Sequence, residues 1–334
     1  MNHAVELKEL RKTFVVKSGK GFKREKKEIV AVDSISLSVE EGQSVAFVGP
    51  NGAGKSTTIK MLTGILSPTS GSARVLGYVP WKERSRLARS IGAVFGQRSQ
   101  LWYHLPPRDS FELLAKIYNI EKSRFQSRRD QLIERFEMGE FLDTQVRKLS
   151  LGQRMRAEVA ASLLHFPRVL FLDEPTIGLD VIARQELRDL IREWNQEEGL
   201  TVFLTSHDAG DIETVARRVV IINHGKLVLD DKVSAVKRHY LGSKLLSVKF
   251  RDQPKLFHLD GVEIVKSSYH AMKLEVDTGV VEIDTVIDAV LRAAPVADIT
   301  IENPPLEKVI AHIYSQPADE DSEGKLNTTV EKES

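Results

Sequence analysis

The segment Gly49-Pro50-Asn51-Gly52-Ala53-Gly54-Lys55-Ser56-Thr57 has the spacing G-x-x-x-x-G-K-S, which describes a loop that wraps the phosphates of a nucleotide. Glycines at 49, 52 and 54 permit backbone turns that side chains would obstruct, so consecutive N–H groups and a helix N-terminus converge on phosphate oxygens. Lys55 adds positive charge at the β- and γ-phosphates, and Ser56 offers a hydroxyl to a metal ion. Farther along, Val169-Leu170-Phe171-Leu172-Asp173-Glu174-Pro175 is an apolar run ending in adjacent carboxylates. Asp173 suits the shell of a magnesium ion, and Glu174 suits polarising the water that attacks the γ-phosphate, because hydrolysis needs both charge neutralisation and a placed nucleophile. Asp-Glu-Pro alone could simply end a strand and begin a turn; beside the phosphate loop, the catalytic reading takes precedence.

A second cradle is written into Leu149-Ser150-Leu151-Gly152-Gln153, which precedes a helical run through Val159, Leu163 and Leu164. Ser and Gly at a helix N-terminus present a hydroxyl, N–H groups and the positive end of the dipole to a phosphate. Read alone, Ser150 is an ordinary N-cap. One nucleotide has no obvious use for two complete anion cradles on one subunit, so the economical arrangement is a dimer whose second cradle closes on the partner's nucleotide.

These residues need elements to position them. The run 44–48 is apolar and β-prone and 57–62 reads as a helix, giving the strand, loop and helix that the motif requires. Residues 5–48 alternate in the β manner, with Ile35, Leu37 and Val39 on one face, and predict an antiparallel sheet feeding the loop. Its connection carries Lys17, Lys20, Lys23, Arg24, Lys26 and Lys27, read as a solvated hairpin extension, with contact to anionic lipid head groups as the other reading. From 101 to 164 the period turns helical, through Phe111, Leu114, Ile117 and Tyr118, then Leu132, Ile133 and Phe136. Strand signal returns at 169–172, 201–204 and 219–222, with a helix over 183–195, so a parallel sheet with crossover connections is expected.

After Tyr240 the pattern changes again. Leu246, Val248 and Phe250 alternate, as do Met272, Leu274 and Val276; Val296, Ile299 and Ile301 mark a third strand, and helices are expected over 284–293 and 306–314. The α/β chain therefore divides into a nucleotide-binding domain, 1–240, with a helical subdomain at about 98–165, an α+β accessory domain, 241–316, and a polar, acidic tail, 317–334, expected to be disordered.

Composition narrows the partners. The 334 residues carry 48 Lys and Arg against 47 Asp and Glu, so no global field draws nucleic acid, and none is expected as a partner. With no cysteine, disulfides, thiolate metal sites and cysteine nucleophiles are excluded. The N-terminal run lacks the profile of a signal peptide, and no window approaches the roughly 18 apolar residues of a membrane span; a membrane role would need another chain to supply it.

Taken in order, the phosphate loop, Gln97 in Val94-Phe95-Gly96-Gln97, Leu149-Ser150-Leu151-Gly152-Gln153, the strand ending Asp173-Glu174, Gly178-Leu179-Asp180, and His207 in Leu204-Thr205-Ser206-His207-Asp208 resemble the nucleotide-binding subunit of an ATP-binding cassette transporter over residues 5–235. The resemblance implies a phosphate-loop cassette fold with a mixed sheet core, an antiparallel β subdomain and a helical subdomain. It also implies ATP and Mg2+ as ligands, dimerisation with a second copy or a related subunit, and a peripheral position at the cytoplasmic face of the membrane against a separate permease. By it, Gln97 senses the metal and the attacking water and links them to the permease, Asp180 lies at the subunit interface, and His207 contacts the γ-phosphate. Phe14 falls where the family places an aromatic on adenine, with Phe22 a competitor; stacking asks only for a π-face. Leu151 departs from the commoner Leu-Ser-Gly-Gly-Gln, while Ser150 and Gly152 remain, so any change is expected in fine geometry rather than activity.

The run Phe95-Gly-Gln-Arg-Ser-Gln-Leu-Trp102, with Leu149-Ser-Leu-Gly-Gln-Arg-Met-Arg156 and the C-terminal extension, is similar to the type-2 exporter branch that includes daunorubicin-resistance-like ATPases. An ATPase powering export of a hydrophobic or amphipathic compound is expected. Leu101, Trp102, Tyr103 and Leu105 form either the surface receiving the permease's helices or part of a core. The alternatives are a soluble cassette ATPase acting on ribosomes or DNA, which usually carries two cassettes or long coiled coils, and an ATP-holding regulatory module, which would not need Glu174.

Overall fold

The computed structural model describes residues 3–18, 25–96, 99–239, 243–303, 306 and 309–310. The chain divides into two compact units, Met1–Val233 and Ser234–Ser334, so the division falls ahead of the boundary at 240 that the change in strand pattern suggested.

In the first unit, β1 (His3–Ser18), β2 (Glu25–Glu40) and β4 (Ser70–Val75) form a three-stranded antiparallel sheet in the order β2-β1-β4. Between them in sequence run β3 (Ser44–Val48) and α1 (Lys55–Leu62). A short α2 (Arg84–Leu87) leads to β5 (Ile91–Phe95). The helical segment holds α3 (Pro107–Ile117), α4 (Lys122–Arg135) and α5 (Leu151–Leu163). There follow β6 (Val169–Asp173), α6 (Val181–Glu198), β7 (Thr201–Ser206), α7 (Ala209–Val215), β8 (Arg218–Asn223) and β9 (Lys226–Lys232).

Six strands make the central sheet in the order β5-β6-β7-β3-β8-β9, parallel except for β9, which returns antiparallel to β8. β3 and β7 are buried along their whole length, which is why they read as continuous apolar runs and not as alternation. Phe47, Phe171 and Phe203, from β3, β6 and β7, pack with ring centroids 5.3 and 5.7 Å apart. All three rings are fully buried, each worth about 1.5–3 kcal/mol of apolar burial, and they stiffen the strands whose carboxyl ends carry the phosphate loop, Asp173 and His207. On the other side of the sheet, α3, α4 and α5 share a core through Phe111, Leu132, Phe136 and Val159.

The second unit opens with α8 (Val233–His239), whose first residue closes the first unit, and continues with β10 (Ser243–Phe250), β11 (Val262–Ser268), β12 (Ala271–Asp277), α9 (Ile283–Ala293) and β13 (Val296–Glu302). The strands form an antiparallel sheet in the order β11-β12-β10-β13, with Leu246, Val248, Phe250, Met272, Leu274 and Val276 packed against Val286 and Val290 of α9. Leu306, Val309 and Ile310 are helical and buried; residues 311–314 of the expected last helix, and the tail 317–334, lie outside the described residues.

Candidate nucleotide site

β3 delivers the chain to the phosphate loop at the carboxyl edge of the sheet, and α1 starts at Lys55. Gly54, just before the helix, has φ 105°, and a Cβ there would stand 2.3 Å from the Ala31 carbonyl oxygen, so glycine is required twice over. The loop and the first turn of α1 leave N–H groups directed outward from the helix N-terminus, the arrangement that binds phosphate. Lys55 is 5% exposed; its Nζ donates to the Gly49 carbonyl at 2.6 Å and to that of Pro50 at 3.3 Å, and lies 3.6 Å from Glu174 Oε1.

Ser56 Oγ donates to Asp173 Oδ1 at 3.1 Å, joining the start of α1 to the end of β6. The same carboxylate oxygen accepts from Thr205 Oγ1 at 2.7 Å. Glu174 follows with φ 52°, a left-handed conformation uncommon for a residue with a side chain. Its N–H donates to the Thr205 carbonyl at 3.1 Å and to Thr205 Oγ1 at 3.2 Å, and Gly96 N–H donates to the Asp173 carbonyl at 3.0 Å. The Glu174 carboxylate sits between Lys55 and His207, whose Nδ1 is 3.6 Å from Oε2. Asn51, Ser56, Lys60, Phe95, Gly96, Asp173 and Glu174 line a cleft of about 410 Å³ here, continued by Ala31, Gly52, Gly54, Lys55 and Thr57 around the loop.

The structure therefore brings Gly49 to Thr57, Asp173, Glu174 and His207 together. Phe14, in β1, lies opposite Ile29, two residues before the Ala31 that backs Gly54, with Lys12 Nζ 5.2 Å from its ring centre. Phe22 and Gln97 lie outside the described residues. Ser150, Gly152, Gln153 and Asp180 do not line this cleft. Ser150 caps α5: its Oγ accepts from Gln153 N at 3.2 Å, and Gln153 Oε1 accepts from Ser150 N at 3.0 Å, a capping box. Asp180 caps α6 by accepting from Ala183 N at 2.9 Å, and a Cβ on Gly152 would stand 2.9 Å from that of Ala183, so the two helix N-termini abut. Ser150 keeps its O–H proton and a lone pair for a further partner.

Two features escaped the motif reading. Thr205 holds both carboxylate positions at once although it is fully buried. Around His207, buried Asp211 accepts from Thr176 Oγ1 at 2.5 Å, Ser206 Oγ at 2.6 Å and Arg188 Nε at 2.7 Å, while Arg188 and Arg184 both donate to Asp208. This network ties the turn after Glu174 to the strand end carrying His207 and to α6. The only sequence signal was the pair of polar residues flanking His207.

Hard oxygen donors from Ser56 and Asp173 fit Mg2+, which commonly takes one or two protein oxygens and completes its octahedron with substrate phosphate and water. Among the described residues there is no cluster of three or more His, Asp or Glu side chains that could form a self-sufficient metal cage.

The family described as ABC transporter matches residues 32–177. The bacitracin transport ATP-binding protein BcrA of Bacillus licheniformis is 35% identical over 225 residues, covering 67% of this chain and 72% of the relative. The daunorubicin resistance ATP-binding protein DrrA3 of Streptomyces coeruleorubidus is 31% identical over 290 residues, 85% of this chain and 90% of the relative. Among solved structures, a dimeric ATP-binding cassette in a post-hydrolysis state with ADP and phosphate aligns with TM-score 0.60 and 26% identity, over 69% of this chain and 98% of the other.

Proposed function

This chain belongs to the ABC transporter family, and from that premise we propose that it binds and hydrolyses ATP as the energy-supplying subunit of an exporter for hydrophobic or amphipathic compounds, with a separate permease. The observation that carries the reading is the convergence of Lys55, Ser56, Asp173 and Glu174 on one cleft beside a helix N-terminus. The loop N–H groups and Lys55 hold the β- and γ-phosphates; Ser56 and Asp173 hold Mg2+, which when bound neutralises charge developing on the phosphoryl oxygens. Glu174 orients the attacking water and takes up its proton, and His207, next to Glu174, reaches the γ-phosphate.

Residues 150–153 and Asp180 complete the site in a second copy. Supporting this, Val181 is 81% and Ile182 72% exposed at the start of α6 beside Asp180, an apolar patch that a facing subunit would cover. No helix among the described residues is long and apolar enough to cross a membrane, which accords with a permease supplied by another chain. Relatives named for bacitracin transport and daunorubicin resistance support export of such compounds.

Replacing Glu174 by Gln keeps the shape and the Lys55 neighbour but removes the base. ATP binding is expected to persist, turnover to fall by about a hundredfold or more, and light scattering to show an ATP-bound dimer. Turnover near the unsubstituted rate, or monomer alone with ATP, would refute the reading.

A further inference from the structure

Glu158 lies in the middle of α5, only 4% exposed, with Met155, Ala157, Val159 and Ala160 buried around it. A carboxylate in such a place is costly unless its oxygens are hydrogen-bonded. Burial pushes its pKa up, opposed by hydrogen bonds from Ser99, Gln100 and Leu101 and by the charge of Arg154. The contacts are specific. Oε1 accepts from Ser99 Oγ, Oε2 accepts from Gln100 N–H at 3.0 Å, and Gln100 Nε2 donates to the Glu158 carbonyl at 2.7 Å. Ser99 Oγ accepts from Leu101 N–H at 3.1 Å, so the carboxylate organises a turn of three residues. Among the described residues, Ser99 and Gln100 make every hydrogen bond beyond their own turn to Glu158.

Farther toward the N-terminus of the same helix, Arg154 Nη1 donates to Tyr103 Oη at 3.0 Å. One helix therefore grips the segment 99–103 at two places. That segment follows Gln97 by two residues and leads into exposed Trp102 and Tyr103, while the helix itself begins at Ser150, the residue assigned above to the partner's nucleotide.

We propose that Glu158 is a positioning residue that locks the turn 99–101 onto α5, so that the segment 99–103 and the helix presenting Ser150 move as one body during turnover. The inference rests on the ATPase reading and adds to it a device inside one subunit: displacement of the 99–103 segment is passed to the second phosphate cradle through a buried carboxylate, without passing through the nucleotide. A residue needed only to fill the core would not have its oxygens and its carbonyl engaged by a single neighbouring turn.

The test uses the full chain with Glu158→Leu, which keeps the bulk and removes both acceptors, and Glu158→Gln, whose amide oxygen still accepts from Gln100 N–H. In Glu158→Leu, amide hydrogen exchange across 99–101 is expected to quicken by about tenfold or more with the amides of β3 unchanged. ATP stoichiometry and affinity are expected to stay within about twofold, while kcat falls by about tenfold or more, and Glu158→Gln recovers most of it. A kcat for Glu158→Leu within about twofold of the unsubstituted chain would overturn the proposal, as would a joint loss of ATP binding and turnover, which marks a purely structural role. A Gln variant no better than the Leu variant would do the same. An unsubstituted chain that hydrolyses no ATP would instead sink the ATPase reading; a failed lock leaves unsubstituted turnover intact, so the two failures are separable.

Discussion

Asp173 keeps its orientation because two hydroxyls, Ser56 Oγ and Thr205 Oγ1, converge on one of its oxygens, and Thr205 also receives the N–H of Glu174. Valine has nearly the shape of threonine and none of its side-chain hydrogen bonds, so Thr205→Val takes one of two partners from the Glu174 N–H, which keeps the Thr205 carbonyl, and one of two from Asp173 Oδ1, which keeps Ser56 Oγ, at about 0.5–1.5 kcal/mol of stability. Steady-state kinetics should show kcat reduced about tenfold, a higher Mg2+ requirement, and an ATP KM within about threefold; an unchanged kcat and Mg2+ dependence would remove Thr205 from the site. The phosphate-loop residues were legible because backbone approach and charge admit few amino acids at each position, as the Gly54 contact with Ala31 illustrates. Thr205 and Asp211 were not, because a buried hydroxyl or carboxylate becomes a hinge of the site only when strands distant in sequence lie side by side. Ser150 shows the intermediate case, for its N-cap geometry was legible and is compatible with either role.

Elements follow the same logic. β3, β6 and β7 were readable since parallel strands buried on both faces are continuous apolar runs, and α6 since its apolar stripe recurs at helical spacing. β11 was missed: an edge strand, Val262-Glu-Ile-Val-Lys-Ser-Ser has no fully buried residue, so its register comes from pairing with β12 and not from its own pattern. Where β5 and α5 meet, His165 supplies a test of the packing. Its Nε2 lies 2.8 Å from the Ile91 carbonyl, its ring stacks on Tyr118 at 4.0 Å, and its Nδ1 is buried with no hydrogen-bond partner among the described residues. Burial, aided by the charge of Arg128 and opposed by the bond to Ile91, lowers its pKa below the ordinary 6.5. The unfolded chain therefore takes up the proton first, and stability is unaffected above pH 6.5 but falls as pH drops below it, by at most about 1.4 kcal/mol per pH unit until the folded form also protonates. Urea midpoints at pH 7.5 and 5.5 should show this loss, and His165→Gln, which retains a donor for Ile91, should reduce it; equal pH dependence in both proteins would contradict the assignment.

At the scale of the whole molecule, the proposed site has two parts that do not share one cleft. The cleft that holds Lys55 and Glu174 is lined without any contribution from residues 150–153 or Asp180, and the helix that Asp180 caps opens on the exposed pair Val181 and Ile182. The two anion cradles were legible as separate motifs, and a dimer is the economical arrangement that uses both. The C-terminal unit was legible as a fold, through the alternation in β10 and β12, but its α/β packing around Val286 and Val290 is accounted for by its own core, so sequence gave no chemistry to assign to it.

On the proposed function, turnover depends on encounter between copies. The most direct measurement is specific ATPase activity of the purified chain, without permease, across a dilution series at saturating MgATP, with light scattering on the same samples. Specific activity should rise with protein concentration in step with the dimer fraction and vanish where only monomer remains; a value that stays constant through the monomeric range would contradict a site shared between two chains.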